Sequence, residues 1–238
     1  MNKTYLTIIV PIYNEEENIE KLSSELNQFL QHSLKPAKVL FVNDGSTDKS
    51  QEKIELACQN YANFHFILFE KNCGLSAAIK AGFDFSDTEY TAYIDGDLQT
   101  TPMDFNLLFE FCEDYELVTG IRSKRQDSRV KRMSSTFANS IRNWFTEDGV
   151  EDTGCPLKII KTENAKAIPM FKGLHRFLPA MIQLQGGKVK QVAIRHFPRN
   201  AGTAKFGLRN RIAGPLMDCF AYLWMKRKYI NYRVIKNK

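Results

Sequence analysis

The 238-residue chain has no run of 18 or more apolar residues, so no ordinary transmembrane helix is expected. The N-terminus carries one lysine and a brief apolar stretch, residues 6–10, that ends at Pro11. That is too short for a signal-peptide core, and no small-residue cleavage site follows. Cysteine is sparse: Cys58, Cys73, Cys112, Cys155 and Cys219 are scattered and odd in number, with no C-x-x-C pair. They read as reduced packing thiols of a cytosolic protein and argue against a structural zinc site. Internal repeats and low-complexity tracts are also missing. No G-x-G-x-x-G follows the first apolar run and no Walker A sequence occurs, which weakens NAD-binding, ATPase and kinase readings.

Acids are scarce in one region. Residues 188–238 hold 13 basic side chains and a single acid, Asp218, for a net of +12, whereas residues 1–187 carry −6. A basic tail on an acidic body suits nucleic acid, an anionic membrane surface or a phosphorylated substrate. Nucleic acid is disfavoured, because the aromatic interleaving is modest and the acidic body would repel a phosphate backbone. What is present is ample apolar material: 43% hydrophobic residues, with 17 Phe and 9 Tyr. That excludes a disordered or collagen-like chain and suits one large domain or two.

The apolar pattern alternates between two kinds of element. Residues 6–10, 39–42, 64–69 and 90–94 are short β-favouring runs, the first of them stopped by Pro11. Between them, Ile19, Leu22, Leu26 and Phe29 recur at helical spacing, as do Ile54, Ala57 and Tyr61, then Leu75, Ala78, Ile79 and Phe83. Ser46 or Thr47 is positioned to cap the second helix. Further strands are expected at 116–120 and 189–194, a basic helix over 122–145, and a helix from Leu208 to Lys228 that Gly214-Pro215 kinks or interrupts. Three strand–helix units before residue 90 predict a mostly parallel sheet flanked by helices. Ligands of such folds lie beyond the C-terminal strand ends, so residues 11–18, 43–47, 70–76 and 95–99 should share one rim.

Two features on that rim carry chemistry. Asp95-Gly96-Asp97 follows the fourth strand directly, and two carboxylates so spaced can converge on Mg2+ or Mn2+, with Gln99 completing the set. The bland alternative is a solvated acidic turn. Asp44 stands at the matching place after the second strand, suited to a ribose or base, or to an Asx turn with Gly45. Arg195, Arg199, Lys205, Arg209 and Arg211 form a cationic loop able to grip phosphate, if they are more than a solvated basic surface.

In order along the chain stand Val10-Pro11-Ile12-Tyr13-Asn14-Glu15, Val42-Asn43-Asp44-Gly45-Ser46, Asn72-x-Gly74-x-x-Ala77 and Asp95-Gly96-Asp97-Leu98-Gln99-x-x-Pro102. Thr153-Gly154-Cys155-Pro156-Leu157-Lys158, His175-Arg176-Phe177-Leu178-Pro179 and Arg199-x-x-Gly202-x-x-Lys205-Phe206-Gly207 follow. Together they resemble glycosyltransferase family 2, in its dolichyl/polyprenyl-phosphate sugar transferase branch. Ala204 stands where that branch usually has Ser, so no hydroxyl is offered there.

The resemblance implies a GT-A fold over residues 1–211, with 212–238 as a basic amphipathic extension for a membrane surface or a partner. It implies an inverting, Mg2+- or Mn2+-dependent transfer from a nucleotide-sugar donor (GDP-mannose or a UDP-sugar) to a polyprenyl-phosphate acceptor. Transfer to a saccharide hydroxyl is the alternative, and a non-catalytic sugar-nucleotide-binding protein a more distant one. Pro11, Tyr13, Glu15, Asp44 and Ala77 would meet the nucleoside. Asp95, Asp97 and Gln99 would hold the cation and donor phosphates. Arg199 and Lys205 would meet phosphate, and His175 and Arg176 would lie on the acceptor side. Asp97, Arg199 and Lys205 form the implied catalytic set, with no dedicated base assigned. The implied location is the cytoplasmic face of a membrane, with an anionic lipid surface, an integral membrane partner or a second copy as partners and no nucleic acid.

Overall fold

The computed structural model describes residues 4–122, 142–198 and 213–230. Arg199, Lys205, most of the basic stretch 122–145 and the first residues of the expected C-terminal helix lie outside these.

Seven strands form one sheet in the order β3-β2-β1-β4-β6-β5-β7. They are β1 Leu6–Ile12, β2 Ala37–Asn43, β3 Phe64–Leu68, β4 Tyr90–Tyr93, β5 Leu117–Arg122, β6 Lys158–Lys161 and β7 Val189–Ile194. Pairing is parallel from β3 to β4 and between β5 and β7, while β6 runs antiparallel to both β4 and β5. The mostly parallel sheet expected from the strand–helix alternation is therefore present. β6 was not anticipated, and Pro11 does not stop β1. Ile12 O accepts from Asp44 N toward β2. Alternation turns Pro11 toward β4, whose pairing with β1 ends at Tyr93, so its missing N–H costs no ladder bond.

Helices α1 Ile19–His32, α2 Ser50–Asn60, α3 Leu75–Phe85 and α4 Phe105–Phe109 alternate with the first strands. α5 Thr162–Ala167, α6 Leu178–Leu184 and α7 Ala213–Lys228 follow the later ones. Leu6, Ile8, Val10 and Ile12 of β1 point to one face, packing with Ile19, Leu22, Leu26 and Phe29 of α1 and Phe105 and Leu108 of α4. Ile9, Leu40 and Val42 point to the other, against Ala78, Ile79 and Phe83 of α3, Ala165 of α5 and Met181 of α6. A sheet covered on both faces explains why these strands read as continuous apolar runs rather than alternating ones. The expected cap of α2 is replaced: Lys49 occupies the N-cap, and Asp48 Oδ1 accepts from Ser50 N at 2.9 Å. Ser46 and Thr47 instead serve the neighbouring loop, where Ser46 Oγ accepts from Asn14 N at 3.0 Å and Thr47 N donates to Asn14 Oδ1 at 2.8 Å.

α7 lies on the α3/α6 side. Cys219 and Tyr222 are buried there, and Tyr222 stacks on Phe177 with ring centroids 5.8 Å apart. Among the described residues no helix is long and apolar enough to cross a membrane.

Candidate active site

The four segments expected on one rim are brought together. Ile12 ends β1, and Asn14, at φ 50°, turns the chain so that the backbone N–H groups of Asn14, Glu15 and Glu16 donate to Ser46, Ser50 and Asp48. Glu15 also accepts from Asn18 Nδ2 at 2.7 Å. Tyr13 and Pro11 are partly buried beside this turn. Gly96 packs against β1, since a Cβ there would fall 2.8 Å from Ile12 Cδ1 and 3.6 Å from Pro11 O.

Asp44 is buried and forms the hub of the β2 side. Its carboxylate accepts from Cys73 N at 2.7 Å, Gly74 N at 2.9 Å and Asn72 Nδ2 at 2.8 Å. The side chain therefore shapes the 72–74 turn that opens α3, and Ala77 sits in the first turn of that helix. Gly45 (φ 66°) passes so close beneath Lys71 and Asn72 that a Cβ would lie 2.4 Å from Lys71 C. Only glycine meets both demands.

On the β4 side, Asp95 keeps part of its surface open while its carboxyl group lies deep, accepting from Tyr93 Oη at 2.5 Å. Burial, then the neighbouring Asp97 carboxylate, push the Asp95 carboxyl up to about 6. Asp97 is buried and accepts from Gln99 N at 3.2 Å across Leu98, whose φ of 58° is a left-handed conformation rare for a branched residue. Beneath them lies a fully buried cation, Lys158. Its ammonium donates to Thr153 O at 3.2 Å and to Cys155 O, and stands 5.9 Å from the Tyr93 ring centroid. Desolvation lowers its pKa. Arg122 and Asp152 form a bidentate pair nearby (2.8 and 2.7 Å).

Two neighbouring carboxylates, with the proton affinity of Asp95 raised by burial and then by the charge of Asp97, form a site that fits a divalent cation. Among the described residues no group of three or more His, Cys, Asp or Glu side chains converges. Such a cation would thus keep most of its coordination for substrate oxygens, as Mg2+-type sites do. Gln99 enters this loop through its backbone: its N–H donates to Asp97 and its carbonyl accepts from Phe197 N at 2.9 Å.

Arg195 was grouped by its sequence with the cationic loop, yet its guanidinium is given to Asp104. Nε and Nη2 donate to Oδ1 at 2.9 and 2.6 Å and its backbone N to Oδ2 at 2.8 Å, with Asp104 1% exposed. This pair ties the end of β7 to the Pro102–Asp104 turn, and the Phe197–Gln99 bond ties it to the Asp95–Gln99 loop.

His175 and Arg176 lie in a 3-10 turn, Leu174–Phe177, ahead of α6. Ser76 Oγ, on α3, accepts from Gly173 N at 3.0 Å and lies 2.8 Å from His175 Nδ1. The hydroxyl has a second lone pair and a proton left, so it serves either tautomer of the neutral ring. Burial, then Arg176 and Lys158, depress the His175 pKa to about 3. The ring is therefore neutral at physiological pH, and Arg176 supplies the charge of the pair. His175 then contributes stability that is complete above pH 6.5 and is lost as pH falls toward 3. Between pH 7 and pH 5 its share of the loss is about 1–2 kcal/mol. Denaturant unfolding at the two pH values should show a smaller drop for His175→Gln than for the unaltered chain. Equal drops would mean that His175 is protonated in the fold.

Sequence reading missed Tyr93, Lys158, Ser76 and the Arg195–Asp104 pair. Lys158 had one signal, a lone cation in the apolar run 155–160. The others have partners that only the fold brings near.

The profile of glycosyl transferase family 2 matches residues 7–162. The undecaprenyl-phosphate 4-deoxy-4-formamido-L-arabinose transferase of Edwardsiella ictaluri (strain 93-146) is 27% identical over 210 residues, covering 87% of this chain and 65% of that protein. The dodecaprenyl-phosphate galacturonate synthase of Rhizobium johnstonii (strain DSM 114642 / LMG 32736 / 3841) is 26% identical over 228 residues, or 93% and 67%. The chain spans about two thirds of the length of such relatives. Among solved structures, glucosyl-3-phosphoglycerate synthase from Mycobacterium tuberculosis, in complex with Mn2+, UDP and glucosyl-3-phosphoglycerate, superposes with a TM-score of 0.71 at 13% identity, covering 96% of this chain and 81% of that one. Mannosyl-3-phosphoglycerate synthase from Rubrobacter xylanophilus gives 0.70 at 14%, covering 99% and 79%. The fold is thus GT-A-like.

Proposed function

Because the chain belongs to glycosyl transferase family 2, we propose that it is a metal-dependent, inverting glycosyltransferase moving a hexose-type sugar from a nucleotide diphosphate sugar to a polyprenyl phosphate. The observation that carries this reading is the crowded Asp95/Asp97 pair on the same rim as the Asp44-held turn. The relatives named for undecaprenyl- and dodecaprenyl-phosphate substrates support the acceptor, and the Mn2+ and UDP of the structural neighbour support the donor chemistry.

Asp95 and Asp97 would hold the cation, Mg2+ or Mn2+, whose charge would offset that of a departing diphosphate. Tyr93 fixes the orientation of Asp95, and the left-handed Leu98 fixes that of Asp97. Pro11, Tyr13, Glu15 and Ala77 border the space for the nucleoside, with Asp44 holding the turn that closes it. Arg176, which also meets Asp218 at 3.5 Å, offers positive charge to the acceptor phosphate, with the neutral His175 ring beside it. A phosphate oxygen is already anionic near neutrality, its second pKa being about 6. Attack on the anomeric carbon then needs no protein base, which agrees with a neutral His175 and with an Asp95 engaged by Tyr93. Arg199 and Lys205 belong to this proposal as phosphate contacts on the strength of the sequence motif.

Donor and acceptor profiling tests the proposal. GDP-mannose, UDP-glucose and UDP-N-acetylglucosamine would be offered with Mg2+ or Mn2+, with and without undecaprenyl phosphate. Nucleoside diphosphate release that requires both cation and lipid phosphate is expected. Release that requires a glycan instead would replace the acceptor.

A further inference from the structure

The chain has two tryptophans, and both are on the outside: Trp144 is 77% and Trp224 65% exposed. They lie 80 residues apart in sequence and on one strip in space. Trp144 meets Phe145 edge-on at 4.8 Å, and Phe145 meets Phe220 edge-on at 5.4 Å. Phe220 is one turn before Trp224 on α7 and is itself exposed, as is Met217. Phe220, Leu223, Trp224, Arg227 and Lys228 line a shallow open concavity of about 560 Å³.

The strip is held firmly from behind. The inner face of α7 buries Cys219 and Tyr222, Asp218 pairs with Arg176 at 3.5 Å, and Lys226 donates to Glu147 at 2.9 Å. Trp144 stands on a helical turn, 142–146, pinned by the buried Arg142–Asp148 pair and by Arg142 Nη2 donating to Val150 O at 2.7 Å. Two separately anchored elements thus present aromatic side chains in the same direction, with cations at one end.

We propose that the strip Trp144–Phe220–Trp224, with Arg227 and Lys228, is a docking surface for an anionic lipid bilayer. Tryptophan favours the headgroup level of a membrane, and lysine and arginine beside it attract anionic lipid. Charge argues against a second copy of the chain, because a two-fold contact through this strip would bring Arg227 and Lys228 near their own duplicates. α7 is 16 residues long and packed on one side, so it lies on the interface and does not span it. The surface stands on its own geometry and rests on the lipid-phosphate reading only for its purpose. The inner face of α7 touches the Gly173–Arg176 segment, where a Cβ on Gly173 would fall 2.2 Å from Asp218 Oδ2. Docking would therefore place the acceptor side of the site one helix diameter, ~10 Å, behind the bilayer surface.

Both tryptophans lie on the strip, so intrinsic fluorescence reports on it directly. The full chain would be titrated with phosphatidylcholine vesicles with and without phosphatidylglycerol. A blue shift, with flotation that depends on the anionic lipid, is expected. The double variant Trp144→Ala/Trp224→Ala should lose at least about tenfold in partition measured by flotation, and Arg227→Glu/Lys228→Glu should lose the anionic preference at about the same cost. Both variants should transfer sugar to a short-chain, water-soluble prenyl phosphate as well as the unaltered chain does. An unshifted emission, or flotation indifferent to both variants, would overturn the proposal. So would self-association that the same substitutions abolish. If the unaltered chain docks yet transfers to no prenyl phosphate, the surface stands and the acceptor reading falls.

Discussion

Replacing Asp97 with Ala is expected to lower metal-dependent turnover by about 10³-fold or more while leaving the protein folded. Its carboxylate is one of two flanking Gly96, and after burial its charge helps to hold the Asp95 carboxyl up at about 6. Removing it halves the charge available to a divalent cation and relieves that repulsion. Asp97 lies in the loop beyond β4, outside the strands and helices, and accepts from Gln99 N at 3.2 Å within that loop. Activity and stability should therefore separate. Turnover measured across a Mn2+ titration, beside thermal unfolding of the same variant, makes the comparison. Turnover within about tenfold of the unaltered chain would remove Asp97 from the cation site.

Gly45→Ala is expected to act in the opposite way, through the fold. Its positive φ costs an alanine roughly 1–2 kcal/mol, and forcing a Cβ against Lys71 and Asn72 backbone atoms costs roughly 1–3 more. A total near 3 kcal/mol should lower the melting temperature by about 10 °C in a chain of this size. Asn72, whose Nδ2 donates to Asp44, is among the displaced residues, and the donors Cys73 and Gly74 follow it directly, so KM for the donor should rise as well. Gly74→Ala is the control. Gly74 also has positive φ, 91°, yet a Cβ there meets nothing within 4 Å, so it should cost backbone strain alone. A Gly45→Ala melting temperature within about 2 °C of the unaltered chain's would mean that the 71–74 turn yields freely.

How far the sequence disclosed this arrangement depends on the range over which each signal acts. β1 to β4 and α1 to α3 were legible because apolar spacing is local, and so was the rim they create. Asp95 and Asp97 were legible for the same reason, since both their strand and their spacing lie within seven residues. β6 was not. It is four residues long, begins with a buried Lys158, and sits antiparallel between β4 and β5, so neither length nor period marked it. Arg195 was read by its neighbours in the chain, all cationic, whereas its partner Asp104 is 91 residues away. Tyr93 read as a core strand residue, and only the fold shows its hydroxyl turned to Asp95. Trp224 was visible as part of an apolar helix with flanking cations. Trp144 completed the strip only once residues 142–146 were folded beside α7.

The proposed chemistry leaves a specific bond behind. With a labelled nucleotide sugar, Mn2+ and polyprenyl phosphate, phosphorus and anomeric-proton NMR of the lipid product reads both its linkage and its stereochemistry. The sugar is expected on the lipid phosphate oxygen, as a phosphodiester with anomeric configuration opposite to the donor's, and formed only when a divalent cation is present. A sugar joined through a hydroxyl, a retained configuration, or equal yield with the cation chelated would contradict the proposed reaction.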